Sequence, residues 1–394
     1  MQVLSNARNF ARVLGSRTIL LNSNHRLLSS LTRINSSPLS SLQCHVLTEA
    51  SSGLCRGSYF PMPQHLVYSI IPRTCFSTEA GTANSNPTEA VKELYDNMLQ
   101  SVNVKRTMPP NASLWSMIEN CKNHEDIKLL FDVLQHLRRF RLSNLRIHSN
   151  FNCNLCQEVT RACARVGAID FGKKALWKHN VYGLTPSIAS AHHLLLNAQG
   201  QNDAKLMVEV MQLLKRNNLP LQAGTADIVF SICYNTNNWE LISEYSKKFT
   251  KAGVKLRRTT FDTWMKFAAQ RGDTESLWNI EYLRSETMKE HTLTTGFSCA
   301  KGLLLEGKPE DAAALIQVLN QTLSDAKKPG IAVEVEKLVN EWPSDVIKHQ
   351  KEDDRKALAA SLKSDIPAMV ASLLNTGFAM SINLEDLTKK EIPL

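Results

Sequence analysis

The chain has 394 residues, 43% of them hydrophobic, with 16 Gly and 14 Pro, which excludes a disordered or collagen-like polypeptide and predicts a sizeable core. No stretch approaches the roughly 18 uninterrupted apolar residues of a membrane-spanning helix; the best candidate is the short segment 65–71, so a soluble protein without membrane insertion is expected. The formal charge of +9 is unevenly spread, and sequence-wide basicity is therefore a poor guide to nucleic acid.

Residues 1–78 carry Arg8, Arg12, Arg17, Arg26, Arg33, Arg56 and Arg73, no Lys, and Glu49 as the only acid, in a Ser- and Leu-rich setting. That is transit-peptide composition. Phe10, Val13, Leu14, Ile19 and Leu20 can line one side of a basic helix, which a negative-inside potential favours. The mitochondrial matrix is expected, with the plastid as the alternative. Arg73-Thr74-Cys75-Phe76-Ser77-Thr78 resembles an arginine-anchored processing site and places maturation near residues 75 to 80. This segment accounts for +6 of the formal +9, so residues 79–394 hold about +3 and any basic surface must be local. The nine Cys suggest no disulfide framework, because a matrix protein meets a reducing environment.

In the linker and leader region, 79–112, Val91, Tyr95, Met98 and Val102 recur at helical spacing after Asn86-Pro87, predicting a leader helix that packs on the helices after it. Beyond Ser113 the pattern is helical throughout, with no sustained period-two alternation, and the fold class is all-α. A fixed period organises it. Gly167, Asn202, Asn237, Gly272 and Gly307 form a ladder with a 35-residue step, and Gly183, Asn218 and Gly253 form a second ladder 16 residues later. Gly and Asn tolerate a left-handed backbone at helix ends, so two turns per step mean two helices per unit. Cys163, Ala198, Cys233, Ala268 and Leu303 form one core column, and Ala175, Val210, Tyr245, Ile280 and Leu315 a second. Asp203 and Asp273 stand at expected N-caps, and Lys308-Pro309-Glu310-Asp311 puts Pro and two acids in a first turn. Such units must stack into a solenoid.

A 35-residue helix-turn-helix ending in Tyr182-Gly183-Leu184-Thr185-Pro186-Ser187 or Lys251-Ala252-Gly253-Val254-Lys255-Leu256, with Ala164-Arg165-Val166-Gly167-Ala168-Ile169-Asp170 at its middle turn, resembles the pentatricopeptide repeat. The resemblance implies a right-handed helical-hairpin solenoid of about five to six repeats over 113–327, with units at 153–187, 188–222, 223–257, 258–292 and 293 to about 327. A degenerate unit is expected at 113–142. Additional helices are expected in 328–394, as a cap with a flexible tail over 384–394.

Pentatricopeptide proteins are generally organellar and bind single-stranded RNA, two side chains per repeat choosing one base. Carried onto this register, those pairs are Gln157/Ser187, His192/Gln222, Asp227/Arg257 and Asp262/Thr292. None is a usual pair for the family, which favours an architectural member that clamps folded RNA and neighbouring proteins, as in plant mitochondrial ribosomes. Contacts would then run through local basic clusters: Lys247, Lys248, Lys251, Lys255, Arg257 and Arg258, or Arg138, Arg139 and Arg141. A solvated helix face is the competing reading of each cluster, and core packing that of Phe140 and Phe249.

Catalytic chemistry finds little support. Cys153 and Cys156 with His148 and Cys163 have zinc-like spacing, but no second Cys-x-x-Cys exists and Cys163 belongs to a core column. His192-His193 lacks an acidic partner, and the phosphate-loop, nucleophile-elbow and His-Glu-x-x-His patterns are missing. Lys351 to Lys356 reads as a solvated helix face. A non-enzymatic protein without metal, cofactor or small-molecule substrate is expected. Its partners would be RNA and ribonucleoprotein subunits; the alternatives are a free transcript-processing or stability factor and a tetratricopeptide-type protein scaffold.

Overall fold

At five positions 35 residues apart the chain leaves one helix through a left-handed residue: Gly167, Asn202, Asn237, Gly272 and Gly307, at φ of 81°, 52°, 51°, 70° and 69°. Gly183, Asn218 and Gly253 repeat the device at 66°, 56° and 69°. Glycine meets no steric cost there, and asparagine a modest one, so the ladders act as backbone punctuation. The computed structural model describes residues 86–143, 150–324, 326 and 328–378; the transit-peptide, cleavage-site and terminal-tail expectations lie outside them. The described residues belong to one compact unit, and they form helices with no strand among them.

Five hairpins arise from this punctuation: α4 (Phe151–Val166) with α5 (Ile169–Ala175), α6 (Ile188–Gln201) with α7 (Ala204–Arg216), α8 (Ala223–Asn235) with α9 (Trp239–Lys251), α10 (Arg258–Arg271) with α11 (Thr274–Thr287), and α12 (Leu293–Leu305) with α13 (Pro309–Thr322). First helices start just after Ser187, Gln222, Arg257 and Thr292. Ser187 and Thr292 build reciprocal capping boxes with Ser190 and Thr295. Second helices are capped by Asp203, Asn238 and Asp273, which accept from the backbone N–H of Leu206, Leu241 and Ser276 at 2.9, 3.0 and 2.9 Å. Both core columns are buried, apart from Leu315, which is half-buried.

Each first helix packs on the next, α4 on α6, α6 on α8, α8 on α10 and α10 on α12, making one continuous layer of first helices. Unit one departs from the rest: α5 stops after seven residues, where α7 and α9 run for 13. Ahead of the array, α1 (Glu89–Asn103) packs on α2 (Asn111–Asn120) and α3 (His124–Ser143).

At the other end, α14 (Lys328–Asn340), α15 (Trp342–Lys348) and α16 (Glu352–Asn375) cover unit five, and α15 reaches back to α10. There Trp342 donates its indole N–H to the Ala269 carbonyl at 3.0 Å and Gln350 its amide to Arg271 at 2.8 Å. Gly272 suits this joint in two ways: its positive φ carries no steric cost, and a Cβ there would press on Val346 and displace the Gln350 amide. Read locally, Pro367 divides two helices, but α16 runs through it. Leu362 and Ile366 before it and Met369, Val370 and Leu373 after it are all buried, which offsets the missing backbone hydrogen bond. By length and composition α16 alone among the described helices could cross a membrane; in this fold it packs on α12, α13 and α15.

Candidate nucleic-acid interface

The base-choosing positions inferred from the resemblance fall at the start of each first helix, where successive helices meet, and the structure couples several of them. Asp227, on α8, accepts from Arg257 at 3.2 Å, from the Thr259 hydroxyl at 2.8 Å, and from the Thr260 hydroxyl. Thr292 donates its hydroxyl to Asp262. Burial pushes the Asp262 carboxyl above its ordinary pKa, against the hydrogen bond from Thr292. His192 pairs with the Thr225 hydroxyl at 2.8 Å, and burial, with His193 and Arg257 nearby, holds its pKa down. Ser187 is spent on its own helix cap. Gln222 is exposed and Gln157 half-buried. Two of the four pairs thus close on themselves through residues 30 apart in sequence, a partnership that only the stacking of units brings about.

The basic clusters divide differently. Lys247, Lys251, Lys255 and Arg258 are exposed and, among the described residues, outside any ion pair. Lys248 is also exposed, but Glu244 holds it at 2.5 Å and it lies over the Tyr245 ring at 4.5 Å. Phe249 is fully buried against Phe230 and is core, not a stacking surface.

Arg138 and Arg139 are exposed on α3 and, with Val102 and Asn103 at the end of α1, border an open cleft of about 460 Å³. Arg141, grouped with them by sequence, is instead buried, 2% exposed. Its Nη2 donates to the Leu134 carbonyl at 3.0 Å and to that of Tyr182, and burial lowers its pKa to about 10. Arg141 is therefore a structural strut and is withdrawn from the surface cluster. The helical period explains this: position 141 continues the inward face of α3 set by Leu134 and Leu137.

Burial pushes the thiols of Cys121 and Cys156 up to about 12, away from the thiolate that nucleophilic attack or zinc ligation needs. One cluster escaped sequence reasoning: ligand atoms of Glu281, His291 and Cys299 lie within 4.8 Å of one another. Arg284 already occupies the centre of charge, taking both Glu281 oxygens at 2.7 and 2.8 Å and donating to the carbonyls of Met288 and Glu290. A cation brought there would meet a guanidinium 3.3 Å from His291, so the cluster serves to close the α11–α12 turn.

Neither a family model nor a curated protein sequence matches the chain. Among solved structures it is similar to the pentatricopeptide repeat protein PPR10, crystallised with an 18-nt psaJ RNA element, and to a triple Cys-to-Ser variant of PPR10 with the same RNA. Each is 14% identical, with a TM-score of 0.41 over 77% of this chain and 43% of the other. The chain spans less than half the length of these proteins.

Proposed function

We propose that this chain is an architectural RNA-binding repeat protein of a mitochondrial ribonucleoprotein, most specifically a structural component of the mitochondrial ribosome that supports translation. The observation that carries this reading is the closure of Asp227 on Arg257 and of Asp262 on Thr292. Side chains that satisfy one another have little to offer a base, whereas Lys247, Lys251, Lys255 and Arg258 stand exposed and can meet phosphate. Shape and backbone contacts of that kind suit folded RNA, with neighbouring ribosomal proteins as further partners. The arginine-rich, almost acid-free residues 1–78 support import into the matrix. The function is one of binding, without catalysis.

The test is to sediment a detergent lysate of mitochondria on a sucrose gradient, with and without magnesium chelation, and track the protein by immunoblot. Comigration with one ribosomal subunit, persisting as subunits separate, is the expected outcome. A light peak that ribonuclease shifts would assign a free transcript factor, and a light peak indifferent to ribonuclease a protein scaffold.

A further inference from the structure

The truncation of α5 is the least regular feature of the array, and it exposes chemistry that an architectural role through the lysine cluster leaves unused. Where other units continue their second helix, residues 176–187 form a turn held from inside. Asn180 is buried and makes four hydrogen bonds: its amide donates to the Trp177 and Leu184 carbonyls at 2.9 and 2.8 Å, and its oxygen accepts from the N–H of Tyr182 and Leu184 at 3.2 and 3.0 Å. Asn217 donates to the Leu176 carbonyl at 2.8 Å, Arg141 donates to Tyr182, and the Tyr182 ring meets Phe131 edge-on at 4.7 Å. The turn is thus preorganised, yet Trp177 is left 51% exposed at its edge.

A single exposed apolar residue means little, and Val181 in the same turn is also 48% exposed. Trp177 differs in what surrounds it. Lys178 and His179 beside it are exposed, and residues 171–187 contain Lys173, Lys174 and Lys178 but no acid. Lys173 is held by Asp170 and Glu209, both at 2.9 Å, and Lys174 lies over the Phe171 ring at 4.7 Å, which leaves Lys178, next to Trp177 in sequence, as the cation of the turn. The stem of Arg138 lies against the same turn, its Cγ 3.1 Å from where a Cβ on Gly183 would stand. A half-exposed indole followed directly by Lys178, in a turn whose residues 171–187 include no acid and against which Arg138 rests, matches a base flanked by phosphates. An uncharged apolar partner fits it poorly, because docking would bury those cations unpaired.

We propose that Trp177 is a stacking platform for an unpaired RNA base, with Lys178 and Arg138 contacting the phosphates on either side. None of these three residues is a base-choosing position, and the site rests on the reading that the chain binds RNA. Because the turn is already ordered, little entropy opposes stacking, and the preference is for single strands, whose bases present their faces.

The experiment titrates the full chain with a mixed-sequence single-stranded RNA of about 20 nucleotides and with the corresponding duplex, monitoring tryptophan emission and fluorescence anisotropy. The expected result is quenching by the single strand, a roughly ten-fold loss of single-strand affinity in Trp177→Ala with duplex affinity unchanged, and near-complete retention in Trp177→Phe. Lys178→Gln should lower the salt dependence by about one phosphate contact. Equal single-strand binding by Trp177→Ala and the parent overturns the platform while leaving RNA binding intact. Absence of any salt-dependent binding by the parent overturns both. Loss by Trp177→Ala of ribonuclease-resistant association with a protein, with RNA affinity unchanged, assigns the surface to that protein and likewise overturns the proposal.

Discussion

Asp126 shows how one carboxylate can join two helices. It is fully buried at the head of α3 and accepts from the N–H and hydroxyl of Thr88, both at 2.7 Å, and from the N–H groups of Lys122 and Asn123 at 2.9 and 3.2 Å. Burial alone would raise its pKa, but these donors together hold it below the ordinary carboxylate value. A depressed folded-state pKa contributes stability that is fully present above the unfolded value of about 4 and is lost as pH falls through the folded value. Asp126→Asn should therefore cost about 2 kcal/mol at neutral pH, because its NH₂ group confronts donors, and should flatten the acid limb of the stability profile. Denaturant titration between neutral and acid pH checks this; an unchanged midpoint would rule the account out. Arg141 is grouped with Arg138 and Arg139 by basicity, although its register with Leu134 and Leu137 puts it on the inward face of α3; what the sequence does not show is its partners, the carbonyls of Leu134 and Tyr182.

At the scale of the element, punctuation was the most legible part. The residues that end each helix do so by backbone preference, which Gly and Asn express locally, and the two ladders therefore stand at positive φ where the period required them. The early end of α5 was not legible, because the residue that organises the turn after it, Asn180, acts through burial and four simultaneous hydrogen bonds. Asn180→Ala should destabilise the fold by about 2 kcal/mol and speed amide exchange at Tyr182 and Leu184 before the rest of the array is affected. Uniform exchange across all units in that variant would show that the turn is not an independent structural element. Pro367 teaches the reverse lesson: a strong local helix-breaking signal yields when the flanking residues on both sides are buried.

Across the array, the hydrophobic interior of the described residues falls into two clusters, one running from Val91 to Cys299 and one built from Phe297 through Leu373. The second joins unit five to α14–α16, so these helices do more than shield an end. In a stacked array each unit is stabilised by its neighbours, and loss of a terminal interface is felt first by the adjacent unit. A chain ending at Leu323 should lose amide protection in α12 and α13 while α6 to α9 keep theirs. Full protection of α12 in the shortened chain would mean that unit five is self-sufficient.

By itself the sequence determined the all-α class, the 35-residue step, the helix ends and the core columns, since each arises from backbone preference or apolar periodicity within a few neighbouring residues. It also set the contrast between an acid-poor first segment and a nearly balanced remainder, which is a matter of composition. Tertiary structure alone decided which inferred site residues are available. Asp227 meets Arg257, Thr292 meets Asp262, Arg141 meets the Tyr182 carbonyl, and Trp177 is left at the surface. Those outcomes depend on which helix faces are pressed together by stacking, a property of neighbours distant in sequence that no local preference encodes.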